Sequence, residues 1–282
     1  MELTWSISAL PFILLFIGAL IGLILGLTGS GGSLVAVPLL VVLLSLELSE
    51  AIGISLAVVA FSAAIGVFHH FKSGSIAWMP TIIFAVVGSA LTPLGYQLGQ
   101  YLTPLLITIL FSILTVFIAI TMWNKSHLNS RVLRVNTSPK QEESVNAIDA
   151  AKLAITWPST AAIILAAAIT GVLSGLLGVG GGFIIVPALT LLFKMKMRQA
   201  VASSLVIISI VSSVGFYQYL VLTPIINTHF MSYLMAGSAM GMGLGIFLSR
   251  YISSAKLQKI FAVIMVIMTF IMLAKNAILN FY

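Results

Sequence analysis

Long apolar stretches separated by short polar turns run through most of the chain. In the first half they predict five helical segments, A to E, at about 9–27, 34–46, 50–70, 79–98 and 103–123. A second set, A′ to E′, follows at about 159–177, 183–193, 199–217, 230–249 and 257–274. Most of these runs approach the roughly 20 residues that a helix needs to cross a bilayer, and they do not alternate as barrel strands do. The pattern therefore predicts an all-α, polytopic integral membrane protein.

The two sets of segments align at one constant offset of 149 residues. Gly22 falls on Gly171, Ser55 on Ser204, and Gly66 on Gly215 without a gap. Such self-similarity is typical of an internal duplication. We therefore divide the chain into a first membrane repeat at 1–123, a polar linker at 124–152 and a second membrane repeat at 153–282.

Composition and charge predict how the two repeats are oriented in the membrane. Only 7% of the 282 residues are charged and 60% are hydrophobic, whereas soluble domains carry about 25% charged residues. The B–C turn contains Glu47 and Glu50 in the first half but only basic charges, at 194, 196 and 198, in the second. A cytoplasmic linker puts every Lys and Arg except Lys275 on the cytoplasmic side, as the positive-inside rule requires. This distribution predicts inverted-topology repeats with both termini outside. The placement of basic residues on the cytoplasmic side also accounts for the net charge of +7, so a nucleic-acid partner is not needed to explain it.

Inversion has a geometric consequence for segments A and B. Since C, D and E cross the membrane three times, A and B together must return to the side on which they began. Segments B and B′ are also too short for a full crossing. Each repeat is therefore predicted to contain a broken or re-entrant A–B hairpin followed by three transmembrane helices.

Both predicted hairpins turn at a glycine cluster. The segment GLTGSGGSLVAVP at residues 26–38 recurs as GLLGVGGGFIIVP at residues 175–187. A bend at membrane depth is tolerated only inside protein or beside a water-filled cavity. The first amides of the helix that follows have no internal partner and carry partial positive charge, so they attract anions. Our candidate substrate-binding residues are Thr28, Gly29, Ser30, Gly31, Gly32 and Ser33 in the first bend (residues 28–33) and Gly178, Val179, Gly180, Gly181 and Gly182 in the second bend (residues 178–182).

Three serines of segments C and C′ extend this candidate site. Ser55 and Ser204 occupy equivalent positions, and Ser203 adjoins Ser204. The alternative for a helix serine is a bond to a carbonyl of the preceding turn of its own helix. For Gly22 and Gly171, which lie at four-residue spacing from further glycines, the alternative is close helix packing.

The doubled glycine motif, the matching halves and the polar linker resemble the TauE/SafE family of sulfite and organosulfonate exporters. The resemblance covers nearly the whole chain and implies a bacterial inner-membrane permease for a sulfur-containing anion. Ser30, Ser33 and Val179 stand where a perfect glycine repeat would have glycine, so the two bends need not contribute equally.

These observations favour a secondary transporter that binds a small oxyanion near the midplane and works by alternating access. A passive channel or carrier for another anion is the alternative, since no buried acid or base suggests proton coupling. A membrane enzyme would need convergent acids, histidines or metal ligands, which the predicted spans lack, and a scaffold would not need paired breaks. We expect no enzymatic activity, cofactor or metal. The expected partners are a small anion and the lipid bilayer, and a homo-oligomer is compatible with the sequence.

Overall fold

The computed structural model describes residues 10–29, 32–71, 74, 76–132, 157–193, 195, 197–222 and 228–249, together with 263, 266, 267, 269–271 and 273. Most of segment E′ and residues 133–152 of the predicted linker lie outside these residues. The regular elements of the described part are helices: α1 (Leu10–Thr28), α2 (Gly32–Leu43), α3 (Leu48–Phe71), α4 (Trp78–Tyr101), α5 (Pro104–Val132), α6 (Trp157–Leu177), α7 (Gly182–Leu192), α8 (Met197–Leu222) and α9 (Thr228–Leu248). The all-α prediction is confirmed, although α5 continues past residue 123, the predicted end of segment E.

Five helices of the described part are long and apolar enough to cross a membrane: α1, α3, α4, Gln199–Leu222 of α8 and His229–Leu248 of α9. Large apolar side chains such as Phe12 and Phe117 are more than half exposed on the outer surface, where lipid would cover them. Helices α2 and α7 have 12 and 11 residues. At 1.5 Å per residue they are too short for a bilayer core about 30 Å thick. The chain is thus a polytopic membrane protein with two short helices, as predicted for segments B and B′.

Helices α3 and α8, which are equivalent in the two halves, cross at the centre of the molecule. Gly66 packs against Leu205 and Gly215 packs against Leu56, which are the same contact with the halves exchanged. Between these two contacts, Ser209 Oγ lies 3.4 Å from the carbonyl oxygen of Ala60. Residue numbers rise along one helix as they fall along the other, so α3 and α8 are antiparallel. Ala60 and Ser209 are equivalent in the alignment, so the approximate two-fold axis that relates the two halves passes between them.

Glycine faces join the first helix of each half to the fourth helix of the other. In α1, Gly22 lies directly against the backbone carbonyl of Ser238 in α9, and Gly241 of α9 lies against that of Ala19. In the same way, Gly171 and Gly175 of α6 lie against the carbonyls of Gly88 and Thr92 in α4. Along α1, Gly18 and Gly22 lie against Leu234 and Ser238 in turn. In both series the paired numbers rise together, so α1 runs parallel to α9 and α6 to α4. The packing role considered for glycines at four-residue spacing is confirmed by these contacts.

Both short helices start beside the helix that precedes them in the chain. A Cβ atom on Gly32, the first residue of α2, would meet the backbone of Leu25. A Cβ atom on Gly181, the residue before α7, would meet Thr170 of α6 and approach Ser174. This placement is what a hairpin requires, and it brings the glycine bends inside the helix bundle.

We expect Gly241→Ala to destabilise the protein by about 1–3 kcal/mol, because its Cβ would overlap the carbonyl group of Ala19 and separate α1 from α9. The matched control is Gly243→Ala in the same helix, where the glycine is exposed and a Cβ would meet nothing within 4 Å. Thermal unfolding in detergent would compare the two variants. Equal melting temperatures would show that the glycine face does not hold α1 against α9.

Candidate functional site

Each bend begins with a glycine that ends the preceding helix in the left-handed region. Gly29 and Gly178 have φ angles of 69° and 68°, and their N–H groups donate to the carbonyls of Leu25 and Ser174 at 2.7 and 3.0 Å. Glycine adopts this conformation without the steric strain of a Cβ. A Cβ on Gly29 would also meet Val201, and one on Gly178 would meet Ile52. The start of each bend is therefore fixed in conformation and tightly enclosed.

The equivalent serines of α3 and α8 each bind the bend of the opposite half. Ser55 Oγ donates to the carbonyl of Gly178 at 2.6 Å and lies 2.8 Å from that of Ile52. Ser204 Oγ donates to the carbonyl of Gly29 at 2.9 Å and lies 2.8 Å from that of Val201. All of these positions correspond at the 149-residue offset. Since a serine hydroxyl has one proton, these contacts use the donor capacity of both side chains to hold the bends.

The second bend leads directly into the N-terminus of α7. Gly180 and Gly181 have φ angles of 66° and 68°, and Gly181 is the N-cap residue without a side-chain cap. The N–H groups of Ile184 and Ile185 donate to the carbonyl of Gly181 at 3.1 and 3.3 Å. The amides at the start of such a helix have no partner of their own within it and carry partial positive charge. Gly182 begins the helix, and all three glycines are buried.

Gly180 lies at the central crossing of α3 and α8. A Cβ there would stand 3.2 Å from Val59, 3.4 Å from Ile208 and 2.5 Å from Ser212 Oγ. Ser212 and Ser174 are fully buried, and within the described part of the chain their Oγ atoms have no hydrogen-bond partner. The second bend thus combines bare glycines with the Ser212 hydroxyl of α8, and Ser174 of α6 lies beside it with its Cβ 3.7 Å from the Cβ position of Gly181.

Sequence reasoning did not place Ser174 or Ser212 in the candidate site. The alignment of the two halves does distinguish these serines, because Ser174 aligns with Leu25 and Ser212 aligns with Ala63. A position that is polar in one half and apolar in the other marks a place where the two bends differ. Thr170, which falls on Ile21, shows the same contrast and contacts Gly181 through its methyl group.

The remaining predicted residues have different surroundings. Thr28 Oγ1 donates to the carbonyl of Ile24 at 2.8 Å, and Val179 is fully buried. Ser203 accepts a hydrogen bond from the N–H of Ala77 at 3.0 Å, which ties it to the start of α4. Ser30 and Gly31, and the side chain of Ser33, lie outside the described residues.

A cavity of about 310 Å³ lies near the second bend, between α3, α4 and α6. Its lining includes Ile52, which contacts Gly178, and Gly175 and Leu176 in the last turn of α6. Its far end reaches Leu102 and Pro104, at the turn between α4 and α5. The volume falls at the lower end of the range of small-molecule sites, about 300–1,000 Å³. The cavity therefore extends from the end of the bundle to the neighbourhood of the second bend.

Comparison with known proteins identifies relatives over most of the chain. Residues 14–272 match the family described as sulfite exporter TauE/SafE. A probable membrane transporter protein of Xylella fastidiosa is 31% identical over 252 residues, covering 88% of this chain and 89% of the relative. One from Bacillus subtilis is 27% identical over 267 residues, covering 90% and 94%. One from Methanocaldococcus jannaschii is 27% identical over 214 residues, covering 74% and 72%. No solved structure matches the chain.

We expect Ser55→Ala and Ser204→Ala each to lower the free energy of unfolding by about 1–3 kcal/mol, because a buried glycine carbonyl loses its partner. Ser62→Ala is the matched control: Ser62 is equally buried in α3, but it donates to Val58 of its own helix. Thermal unfolding of the purified variants measures the difference. If Ser55→Ala and Ser62→Ala have the same melting temperature, the hydrogen bond between the halves does not stabilise the bend.

Proposed function

The chain belongs to the sulfite exporter TauE/SafE family, and we propose that it is a secondary transporter of a small sulfur-containing oxyanion, sulfite or an organosulfonate. Its relatives are named as probable membrane transporters, and the chain is a membrane transporter of this family. The proposal of a sulfur-containing oxyanion takes its support from the family description and from the chemistry of the bends.

The observation that carries the proposal is the start of α7 at bare, buried glycines beside the crossing of α3 and α8. An anion at this point would meet backbone N–H groups and the positive end of a helix without needing a charged side chain. Helices α1, α2, α4, α6, α7 and α9 contain no Asp, Glu, Lys or Arg. We propose that backbone dipoles and hydroxyls select the anion, and that residues 28–33 form the corresponding surface in the first half. In this proposal Ser55 and Ser204 position the bends.

We further infer an inverted topology for the two repeats. The antiparallel packing of the equivalent helices α3 and α8 supports this inference, because two membrane-spanning equivalents that run in opposite directions belong to oppositely oriented halves. The switch of basic charge between matched turns supports it independently. The orientation that follows is a cytoplasmic linker with both termini outside, in the inner membrane of a bacterial cell.

Alternating access would then depend on which helices move together. The glycine contacts pair α1 with α9 and α4 with α6, so each pair contains one helix from each half. Movement of one whole half against the other would separate these close contacts. We propose that the two cross-half pairs rock as units about the α3–α8 crossing, which exposes the bends to one side of the membrane at a time.

The second candidate is a passive channel or carrier for another small anion. It is favoured by the lack of acidic and basic residues in the six helices named above, since these helices offer no carboxylate or amine that could carry a coupled proton. The two candidates differ in whether they can move the anion against its gradient.

We expect proteoliposomes containing the purified protein to take up radiolabelled sulfite or an organosulfonate against its concentration gradient when a pH gradient or sodium gradient is imposed. Sulfate and thiosulfate complete the panel, and protein-free liposomes are the control. Uptake that only equilibrates the anion would establish the passive carrier instead. No uptake of any member of the panel would contradict the proposed substrate class.

The topology generates a separate test, because the chain contains no cysteine. Glu47→Cys, in the turn between α2 and α3, should react with a membrane-impermeant thiol reagent in intact cells. Ser138→Cys, in the linker and outside the described residues, should react only after the cells are opened. Labelling of Ser138→Cys from outside would overturn the proposed orientation.

A further inference from the structure

We propose that the anion binds at the second bend rather than midway between the two equivalent bends. This second-bend site is formed by the amides of residues 180–182 and the hydroxyls of Ser174 and Ser212. The inference rests on the proposed transport function and assigns its binding groups to the second half of the chain. It adds two donors from α6 and α8 to the N-terminus of α7.

Ser212 is aimed at the bend. Its Oγ is the nearest atom to the position that a Cβ on Gly180 would occupy, 2.5 Å away. A side chain at 180 would thus meet the hydroxyl, whereas with glycine the hydroxyl faces bare backbone. Ser174 lies on the other flank, with its Cβ 3.7 Å from the corresponding position of Gly181. The two serines therefore approach consecutive glycines from different helices.

Neither hydroxyl makes the bond that helix serines usually make. The neighbouring Ser213 donates to the carbonyl of Ser209 at 2.7 Å, and Thr170, one turn before Ser174, donates to that of Ala166 at 2.7 Å. Ser212 and Ser174 are fully buried and, in the part of the chain that the structure describes, have no partner. Since buried hydroxyls are normally hydrogen-bonded, a ligand at the bend supplies the acceptor that both donors lack.

The three equivalent positions beside the first bend have apolar side chains. Leu25 replaces Ser174, Ala63 replaces Ser212 and Ile21 replaces Thr170 at the 149-residue offset. A Cβ on Gly32, the equivalent of Gly181, would stand 2.6 Å from the Cβ of Leu25, whereas one on Gly181 would stand 3.7 Å from the Cβ of Ser174. At these three aligned positions, therefore, only the second bend has hydroxyl side chains beside it.

The cavity beside α4 lies close to this site, since its lining includes Gly175 and Leu176, which directly follow Ser174 in α6. The groups gathered at the second-bend site are neutral donors: backbone amides and hydroxyls. They suit a small, deprotonated oxyanion, whose oxygens accept several hydrogen bonds at once, and the methyl groups of Val59 and Ile208 would bound it on the α3–α8 side.

The experiment measures binding of sulfite, sulfate, thiosulfate and methanesulfonate to the purified full-length protein and to Ser174→Ala and Ser212→Ala. We expect each variant to bind the preferred anion at least about tenfold more weakly, the effect of removing one hydrogen bond to a charged group. The melting temperature without anion should stay the same or rise, because each substitution removes a buried hydroxyl that has no partner. Ser213→Ala is the matched control, adjacent in α8 but exposed, and should bind like the parent.

The possible results separate this inference from the proposed function. Parent-like affinity of both variants would overturn the second-bend site while leaving an anion transporter in place. Weaker binding together with a fall in melting temperature as large as that of Ser55→Ala would also overturn it, because the hydroxyls would then be structural. If the parent protein binds none of the four anions, the proposed function fails and the inference fails with it.

Discussion

The structure depends on hydrogen bonds to the backbone groups that become exposed where two helices break inside a membrane protein. Lipid offers no hydrogen-bond partner, so every carbonyl and amide exposed by a bend must be matched within the protein or by water. Ser55 and Ser204 meet this requirement for the carbonyls of Gly178 and Gly29. The bonds cross between the halves, so each bend takes one of its hydrogen bonds from the other half. These two contacts help to hold the bends that lead into the short helices.

Contacts between the two halves also determine how the molecule can move. Close glycine contacts make α1 with α9, and α4 with α6, into pairs whose backbones approach too closely to slide without loss of packing. The α3–α8 crossing is different, because leucine side chains rather than backbone carbonyls meet Gly66 and Gly215 there. Flexible side chains tolerate reorientation better than backbone in direct contact. The molecule thus combines rigid pairs with a more adaptable centre.

Much of this architecture could be predicted from the sequence because it arises from local rules. Apolar length predicts helices, the glycine clusters predict the bends, and the constant offset predicts which parts correspond. The partners across the bundle could not be predicted, since small-residue faces on α1 and α9 fit many helices equally well. Ser203 and Ser204 show the same limit: they are adjacent in the sequence, but Ser204 donates to the carbonyl of Gly29, whereas Ser203 accepts from the N–H of Ala77. The orientation of Ser212 likewise depends on how α8 packs.

The cross-half bonds also constrain the order in which the protein can be completed during synthesis. The carbonyl of Gly29 receives its hydrogen bond from a serine that lies 175 residues further along the chain. When the first repeat has left the ribosome, its own bend is still without this donor, although Ser55 is already available for a bend that does not yet exist. The first half is therefore synthesised before this hydrogen bond can form. The two halves correspond at a constant sequence offset, but the direction of translation makes them unequal in folding.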